Sequence, residues 1–221
     1  MRFEFRQITK ELYSADFIIA DERENRYGHA HFEGDMTSVF GNWKIEVAAT
    51  QVRLERIHAK QALSLTGGLT KDKPFGAMEI FVDGISRGVV FQGTHKKSLF
   101  KEYSIHHIIY DGQVMYRLYP IGFGKEGSKS PIYLETAYEN RQVGQIEKDS
   151  IVYDDLHVFR CYLLDPQDML TAVIFSALMY SMGCYKPGVK ITSGAKQTSS
   201  TTLEEELLSK YDPNFLYRIG E

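Results

Sequence analysis

One uncharged stretch limits what this chain can become. From Met169 to Tyr185 the sequence reads MLTAVIFSALMYSMGCY. Before it, Asp165-Pro166-Gln167-Asp168 places a capping acid, a proline at the first helical position and an acid in the first turn, the chemistry of a helix start. Lys186-Pro187-Gly188 closes it with a helix breaker. The pattern predicts a helix over 166–185. A surface helix keeps a polar stripe and this one has none, so it must be surrounded by protein or by lipid. At about 1.5 Å per residue it reaches only the lower end of the roughly 17–25 residues that cross a bilayer. Thr171, Ser176, Ser181 and Gly183 argue against insertion, as does the lack of a second span or an aromatic belt. The absence of charge and Lys186 beside the end argue for it.

The upstream sequence supplies a protein container. In Arg2-Phe3-Glu4-Phe5-Arg6, Trp43-Lys44-Ile45-Glu46-Val47 and Gln51-Val52-Arg53-Leu54-Glu55, apolar and polar residues alternate with the period of a strand that has one wet face. Further strands are expected at 17–21, 76–82, 88–92, 103–110, 114–119, 132–138, 143–148 and 157–164. About a dozen strands, roughly 8 to 12 residues apart, predict an all-β sandwich or barrel. A barrel needs its lumen filled and the apolar helix fills it, so the expected fold is mainly β: a roughly twelve-stranded antiparallel β-barrel enclosing the helix. A weak repeat points the same way. Glu24-Asn25-Arg26-Tyr27-Gly28, Asp83-Gly84-Ile85-Ser86-Arg87-Gly88 and Glu139-Asn140-Arg141-Gln142-Val143-Gly144 each set an acidic turn before a strand containing glycine. All three read as hairpins in a repeated β-meander, the later glycine marking a bulge or a close strand approach.

After the barrel and its helix (1–186), residues 187–202 are polar and lack apolar periodicity, as in a flexible linker. Residues 203–221 form an amphipathic docking tail. Thr202-Leu203-Glu204-Glu205 is a capping-box pattern that predicts a short helix, with Leu203, Leu207 and Leu208 on one face. With Phe215, Leu216 and Tyr217, that face must dock on the same barrel or on a neighbouring copy, so a homo-oligomer joined through the tail is one expected outcome.

The order of pieces near the end carries a resemblance. Val143-Gly144-Gln145-Ile146-Glu147-Lys148, the acidic turn Asp154-Asp155, a strand ending at Asp165 and then the charge-free helix resemble, over about forty residues, the end of the tubby C-terminal-like superfamily. That superfamily includes the phospholipid scramblases and the plant LURP-one-related proteins. The resemblance implies a twelve-stranded barrel around a hydrophobic helix, and it points to phosphoinositide binding. The chain departs from the pattern in two ways. A linker and a second helix follow the central one, and Asp149, Asp154 and Asp155 lack the spacing of the scramblase calcium-associated segment.

Few residues suggest chemistry. The net charge of −3 excludes a basic, nucleic-acid-coating protein. Cys161 and Cys184 form no disulfide scaffold or redox pair, and the first residues lack a secretory pattern, so a cytoplasmic location, peripheral to a membrane at most, is expected. His29 and His31 share one strand face at a chelating spacing, but two ligands do not complete a metal site. His106-His107 points to both faces of a strand. Neither a nucleophile elbow nor a phosphate loop is present: Gly122-Phe123-Gly124-Lys125-Glu126-Gly127 reads as a hairpin loop. No catalytic residue and no cofactor is nominated. The basic cluster His95-Lys96-Lys97-Ser98-Leu99-Phe100-Lys101 is the one binding candidate, with Lys96, Lys97 and Lys101 expected to attract an anionic lipid head group. The leading expectation is a non-enzymatic module binding such a lipid or a protein partner. The alternatives are a membrane-inserted, scramblase-like lipid-handling protein and an enzyme with a cleft site built from distant residues.

Overall fold

The computed structural model describes residues 1–35, 38–98, 101–152, 154, 156–184 and 205–220. Its strands are β1 (Arg2–Gln7), β2 (Ser14–Ala20), β3 (Arg26–Asp35), β4 (Ser38–Val47), β5 (Thr50–Arg56), β6 (Lys73–Val82), β7 (Ile85–Ser98), β8 (Lys101–Tyr110), β9 (Val114–Leu118), β10 (Ile121–Gly122), β11 (Ser128–Glu135), β12 (Asn140–Lys148) and β13 (Val158–Leu163). Every pairing is antiparallel. The order runs β10-β11-β12-β13-β1 and onward to β9, and β9 returns to pair with β11. Twelve strands therefore close a barrel, with β10 as an extra strand beside β11.

Alternation decides which side chains face in. Phe3 lies opposite Cys161, Phe5 opposite Phe159 and Ile19, Trp43 opposite Leu54 and Ile45 opposite Val52, all buried, while Arg6, Lys44 and Arg53 point out. Eight strands leave a lumen that side chains alone fill, and twelve leave a wider one. The filler is the apolar segment. Asp165 accepts a hydrogen bond from the Gln167 amide, a short 3-10 turn spans Pro166–Asp168, α-helix α2 runs Met169–Met179, and a turn of π-helix covers Tyr180–Cys184. From Ala172 to Leu178 every residue is 0% exposed, so the strands enclose α2 on all sides. Its small polar residues are satisfied inside: Ser176 Oγ donates to the Ala172 carbonyl at 2.9 Å and Ser181 Oγ to the Ala177 carbonyl at 3.0 Å. Trp43 Nε1 donates to Ser181 Oγ at 2.9 Å, tying β4 to the end of the helix. Among the described residues no helix is long and apolar enough to cross a membrane.

The weak repeat becomes a structural one. In β2–β3, β6–β7 and β11–β12, Ile19, Ile80 and Ile132 lie opposite Gly28, Gly88 and Gly144, and the register shifts at each of these isoleucines. At Gly28 and Gly88 these bulges bring the backbone of the strand on the other side too close for a side chain, and at Gly144 the Leu163 side chain occupies the space. A Cβ at Gly28 would stand 1.9 Å from the Glu46 carbonyl oxygen, and one at Gly88 2.0 Å from that of Ile109. Around the ring the three hairpins are separated by equal intervals of two strands, β13–β1, β4–β5 and β8–β9. The barrel is thus three four-stranded units with a bulged corner in each.

Two features lie on the outer wall. The first has no counterpart in the sequence reading: α1 (Ala59–Leu65) packs Ala62 and Leu65 against Ala77, Val89, Phe91, Ile109 and Met115. The second is the tail. The predicted short helix is α3 (Glu205–Leu208), and a second one-turn helix, α4 (Phe215–Arg218), follows it. Leu207 and Phe215 are buried, whereas Leu208 is 45% and Tyr217 75% exposed, because helices this short present single anchors instead of an apolar face. Tyr138, expected in a strand, lies beyond the end of β11 at Glu135 and is fully in water. The tail docks on its own barrel, over the place where β9 leaves β8: Leu207 and Tyr211 pack with Ile105, Tyr119, Ile121, Phe123 and Tyr133. Leu203 and the linker 187–202 lie outside the described residues.

The enclosure of α2 makes a direct prediction. Ala177→Asp places an unpaired carboxylate in the lumen at a cost of several kcal/mol, comparable with the whole stability of a domain. The expected result is loss of soluble, cooperatively melting protein; an unchanged Tm would contradict the enclosure. A second prediction concerns the β4–β5 hairpin. Its two turn residues, Ala48 and Ala49, have φ of 47° and 67°, a conformation that L-residues with a Cβ resist and that Asn-Gly adopts readily. Ala48→Asn with Ala49→Gly should raise stability by about 1–2 kcal/mol, read as an upward shift of the chemical denaturation midpoint.

Candidate functional site

An up-and-down barrel sorts its loops between two ends. The β2–β3, β4–β5, β6–β7, β8–β9 and β11–β12 turns share the end where α2 begins. The β1–β2, β3–β4, β7–β8, β10–β11 and β12–β13 connections share the end where it finishes. Lys96, Lys97 and Lys101 belong to this second end, the first two near the end of β7 and the third at the start of β8. In register, Lys96 faces Glu102 and Lys101 faces Ser98, so one carboxylate-bearing residue is paired into the cluster. Leu99 and Phe100 lie outside the described residues. Lys73 sits opposite Thr94 on the adjoining strand, and exposed Lys71, Lys73 and Phe75 extend the cluster along β6. On the β1–β2 loop of the same end stand Ile8 and Leu12, 44% and 59% exposed, with Lys10 between them. Exposed apolar side chains beside lysines therefore recur on the β1–β2 loop and at the start of β6.

The lumen near that end is polar where α2 does not reach. Gln92 Nε2 donates to Ser104 Oγ at 2.5 Å, while His106 Nδ1 and Ser130 Oγ are buried with no hydrogen-bond partner among the described residues. Burial, with a smaller contribution from the neighbouring His107, drives the His106 imidazole down to about 3. His157 lies edge-on to Tyr180, and burial brings it to about 3 as well, helped by Lys148 and Lys10. Both rings are neutral in the folded protein. His107 points outward yet is also buried, stacked on Phe91, with Nε2 2.9 Å from the Asp72 carboxylate. Burial lowers its pKa against the opposing pull of Asp72. The two rings face opposite sides of β8, as the strand period requires. The structure buries both, because α1 and the segment leading to β6 cover the outer face at His107.

The other candidates resolve as follows. His29 and His31 share the outer face, with the His31 ring 2.7 Å from Asp16 Oδ1. Hydrogen bonds from Thr9 and His31 hold the Asp16 carboxyl below its usual range. Among the described residues no group of three or more His, Cys, Asp or Glu is placed to hold a metal ion. Cys161 lies inside the barrel 3.6 Å from Ser176 Oγ, and burial pushes its thiol up to about 12, far from a thiolate nucleophile. Asp149 is clamped by Arg160 through two bonds of 2.9 and 2.7 Å, and Asp154 occupies a turn at φ 51°; Asp155 lies outside the described residues.

A search against protein-family models, curated proteins and solved structures finds no match to this chain.

The two buried rings predict acid sensitivity. An unfolded histidine takes up a proton near pH 6.5 and the folded ones do not until about pH 3. Their contribution is therefore complete above pH 6.5 and drains away as the pH falls toward 3. From pH 6.5 to 5 each ring should remove about 2 kcal/mol, at about 1.4 kcal/mol per pH unit. Urea midpoints at pH 7.5 and 5.0 measure the fall, and His106→Gln should abolish roughly half of it.

Proposed function

We propose that the chain is a non-enzymatic binding module that engages an anionic lipid head group with the barrel end bearing Lys96, Lys97 and Lys101. The observation that carries this reading is the topology. The β7–β8 lysines, Lys71, Lys73 and exposed Phe75 on β6, and Ile8, Lys10 and Leu12 on the β1–β2 loop belong to one end of the molecule. Cations draw the end toward an anionic surface, and exposed apolar side chains gain by leaving water there. The tubby-type resemblance favours the same ligand, and a barrel wrapped around an apolar helix is the architecture that it implies.

The membrane-inserted, scramblase-like alternative requires α2 to leave its container. That would strip protein contacts from a helix whose central residues are wholly buried and would open a wide lumen. Docking by the barrel end needs no such rearrangement. For the enzyme alternative, Cys161 is walled inside the barrel, and His107 is buried against Phe91 with its Nε2 2.9 Å from the Asp72 carboxylate.

Sedimentation with liposomes tests the proposal. Wild-type protein should pellet with vesicles rich in anionic lipid at low salt, release as salt screens the attraction, and ignore neutral vesicles. Lys96→Glu combined with Lys97→Glu should lower the bound fraction at least tenfold, at roughly 1 kcal/mol for each lysine lost and more for reversed charge. Wild-type protein that stays in the supernatant with anionic vesicles at low salt would overturn the reading.

A further inference from the structure

The tail is held by an arrangement that apolar docking alone does not require. Where β9 ends at Leu118, the chain turns through Tyr119 to β10, and Tyr133 on β11 comes up beside it. The two tyrosine rings stand edge to face, 90° apart with centroids separated by 5.6 Å. Lys210 of the tail places its Nζ 5.3 Å from the centre of the Tyr119 ring and 5.1 Å from that of Tyr133. Two perpendicular aromatic faces around one ammonium make two walls of an aromatic cage, the geometry by which proteins hold alkylammonium groups.

The surroundings define what the cage accepts. Tyr119 is 3% exposed, while Tyr133 and Lys210 are half-buried, so the cage has one closed wall and one side open to water. Both carboxylates nearby are engaged: Asp212, whose charge reaches Tyr133, is paired with Arg218 at 2.7 Å, and Glu135 holds Arg117 at 3.1 Å and accepts from the Tyr119 hydroxyl at 3.3 Å. A site that offers ring faces with no free carboxylate favours a cation that sheds water cheaply, meaning a methylated or otherwise alkyl-clad ammonium over a bare metal ion.

We propose that Tyr119 and Tyr133 form an alkylammonium-binding site and that Lys210 is its built-in occupant, which an external alkylammonium must displace. This site lies on the outer wall beside β8 and uses none of the lysines proposed for the head group. The tail keeps other holds when Lys210 withdraws. Leu207 and Phe215 remain buried anchors, and the Tyr133 hydroxyl donates to the backbone carbonyl of residue 210 at 3.0 Å, a bond that no change of the residue 210 side chain removes. Lys129 adds a reciprocal contact from the barrel, 5.4 Å from the Phe123 ring and 5.8 Å from Tyr211 of the tail. Emptying the cage is therefore separable from undocking the tail.

Full-length protein and Lys210→Gln, each with labelled tyrosine rings, are titrated by NMR with choline chloride, with Nα-acetyl-lysine amide, and with potassium chloride as the ionic-strength blank. Lys210→Gln should show saturable shifts of the Tyr119 and Tyr133 rings with at least one amine and none with potassium, at an affinity at least tenfold above that of the wild type. Tyr133→Leu in the Lys210→Gln background should remove the response. Tighter binding of choline identifies the occupant as a small quaternary ammonium; tighter binding of the lysine amide identifies it as a lysine side chain of a partner protein. Lys210→Ala repeats the comparison with a side chain too short to fill the cage. The proposal is overturned when neither amine moves the two rings of these variants beyond the potassium blank, or when the wild type responds equally.

Discussion

Mutual dependence between α2 and the wall governs the rest of the molecule. A helix with no polar stripe has nowhere in water to go, and a twelve-stranded ring has a lumen that its own side chains do not fill. Each removes the other's defect. Packing around Tyr180 shows how closely they are matched: the rings of Phe17, Phe32, Trp43 and His157 approach it at 4.9, 5.4, 5.7 and 5.4 Å. The Ser176 and Ser181 hydroxyls turn back onto the helix's own carbonyls, and that of Thr171 pairs with Tyr110 of the wall.

Where the helix does not fill the lumen, the interior turns polar. His106, Ser130, Gln92 and Ser104 come from β7, β8 and β11 at the end of the barrel away from the start of α2. A wall designed only for stability would carry apolar residues at these inward positions, since buried groups without partners are costly. The same end carries the exposed lysines and apolar loop residues. Internal polarity and external stickiness thus meet at one end, and the other end holds mostly tight turns.

The sequence makes plain whatever depends on local periodicity. Alternation in β1, β4 and β5 marks inward residues one by one, the Asp165-Pro166 signal marks the start of the helical segment within a residue, and the recurrent glycines mark three bulges. What it conceals are partnerships between distant residues. Nothing local ties His107 to Asp72 or Lys210 to Tyr119 and Tyr133, each pair being set by strand order or by where the tail crosses the wall. The segment of α1 escapes for a different reason. Its short run, with Ala62 buried, has neither a capping side chain nor charges suited to the helix dipole, so its helicity is supplied by the wall it packs on. For the basic cluster, the sequence identifies the residues and the topology gathers Lys71, Lys73 and Lys10 around the same end.

The threefold ring has a consequence for how the chain is made. Two of the four-stranded units, β2–β5 and β6–β9, are continuous, but the third joins β11, β12 and β13 to β1 from the opposite end of the chain, and the amino group of Met1 bonds to the carbonyl of Leu163. During synthesis the first strand must wait for the last. Until then β1 and β2 form an open edge and the two completed units form an unfilled trough, because α2 is translated after every strand. Pairings this remote fold slowly and leave edges exposed to other chains. The outward Arg2, Glu4 and Arg6 of β1 put a charge at every second position of that waiting edge, which discourages pairing with a stranger. The filler is thus the last part of the barrel to be translated, and the enclosed packing of α2 forms only once every strand is already in the chain.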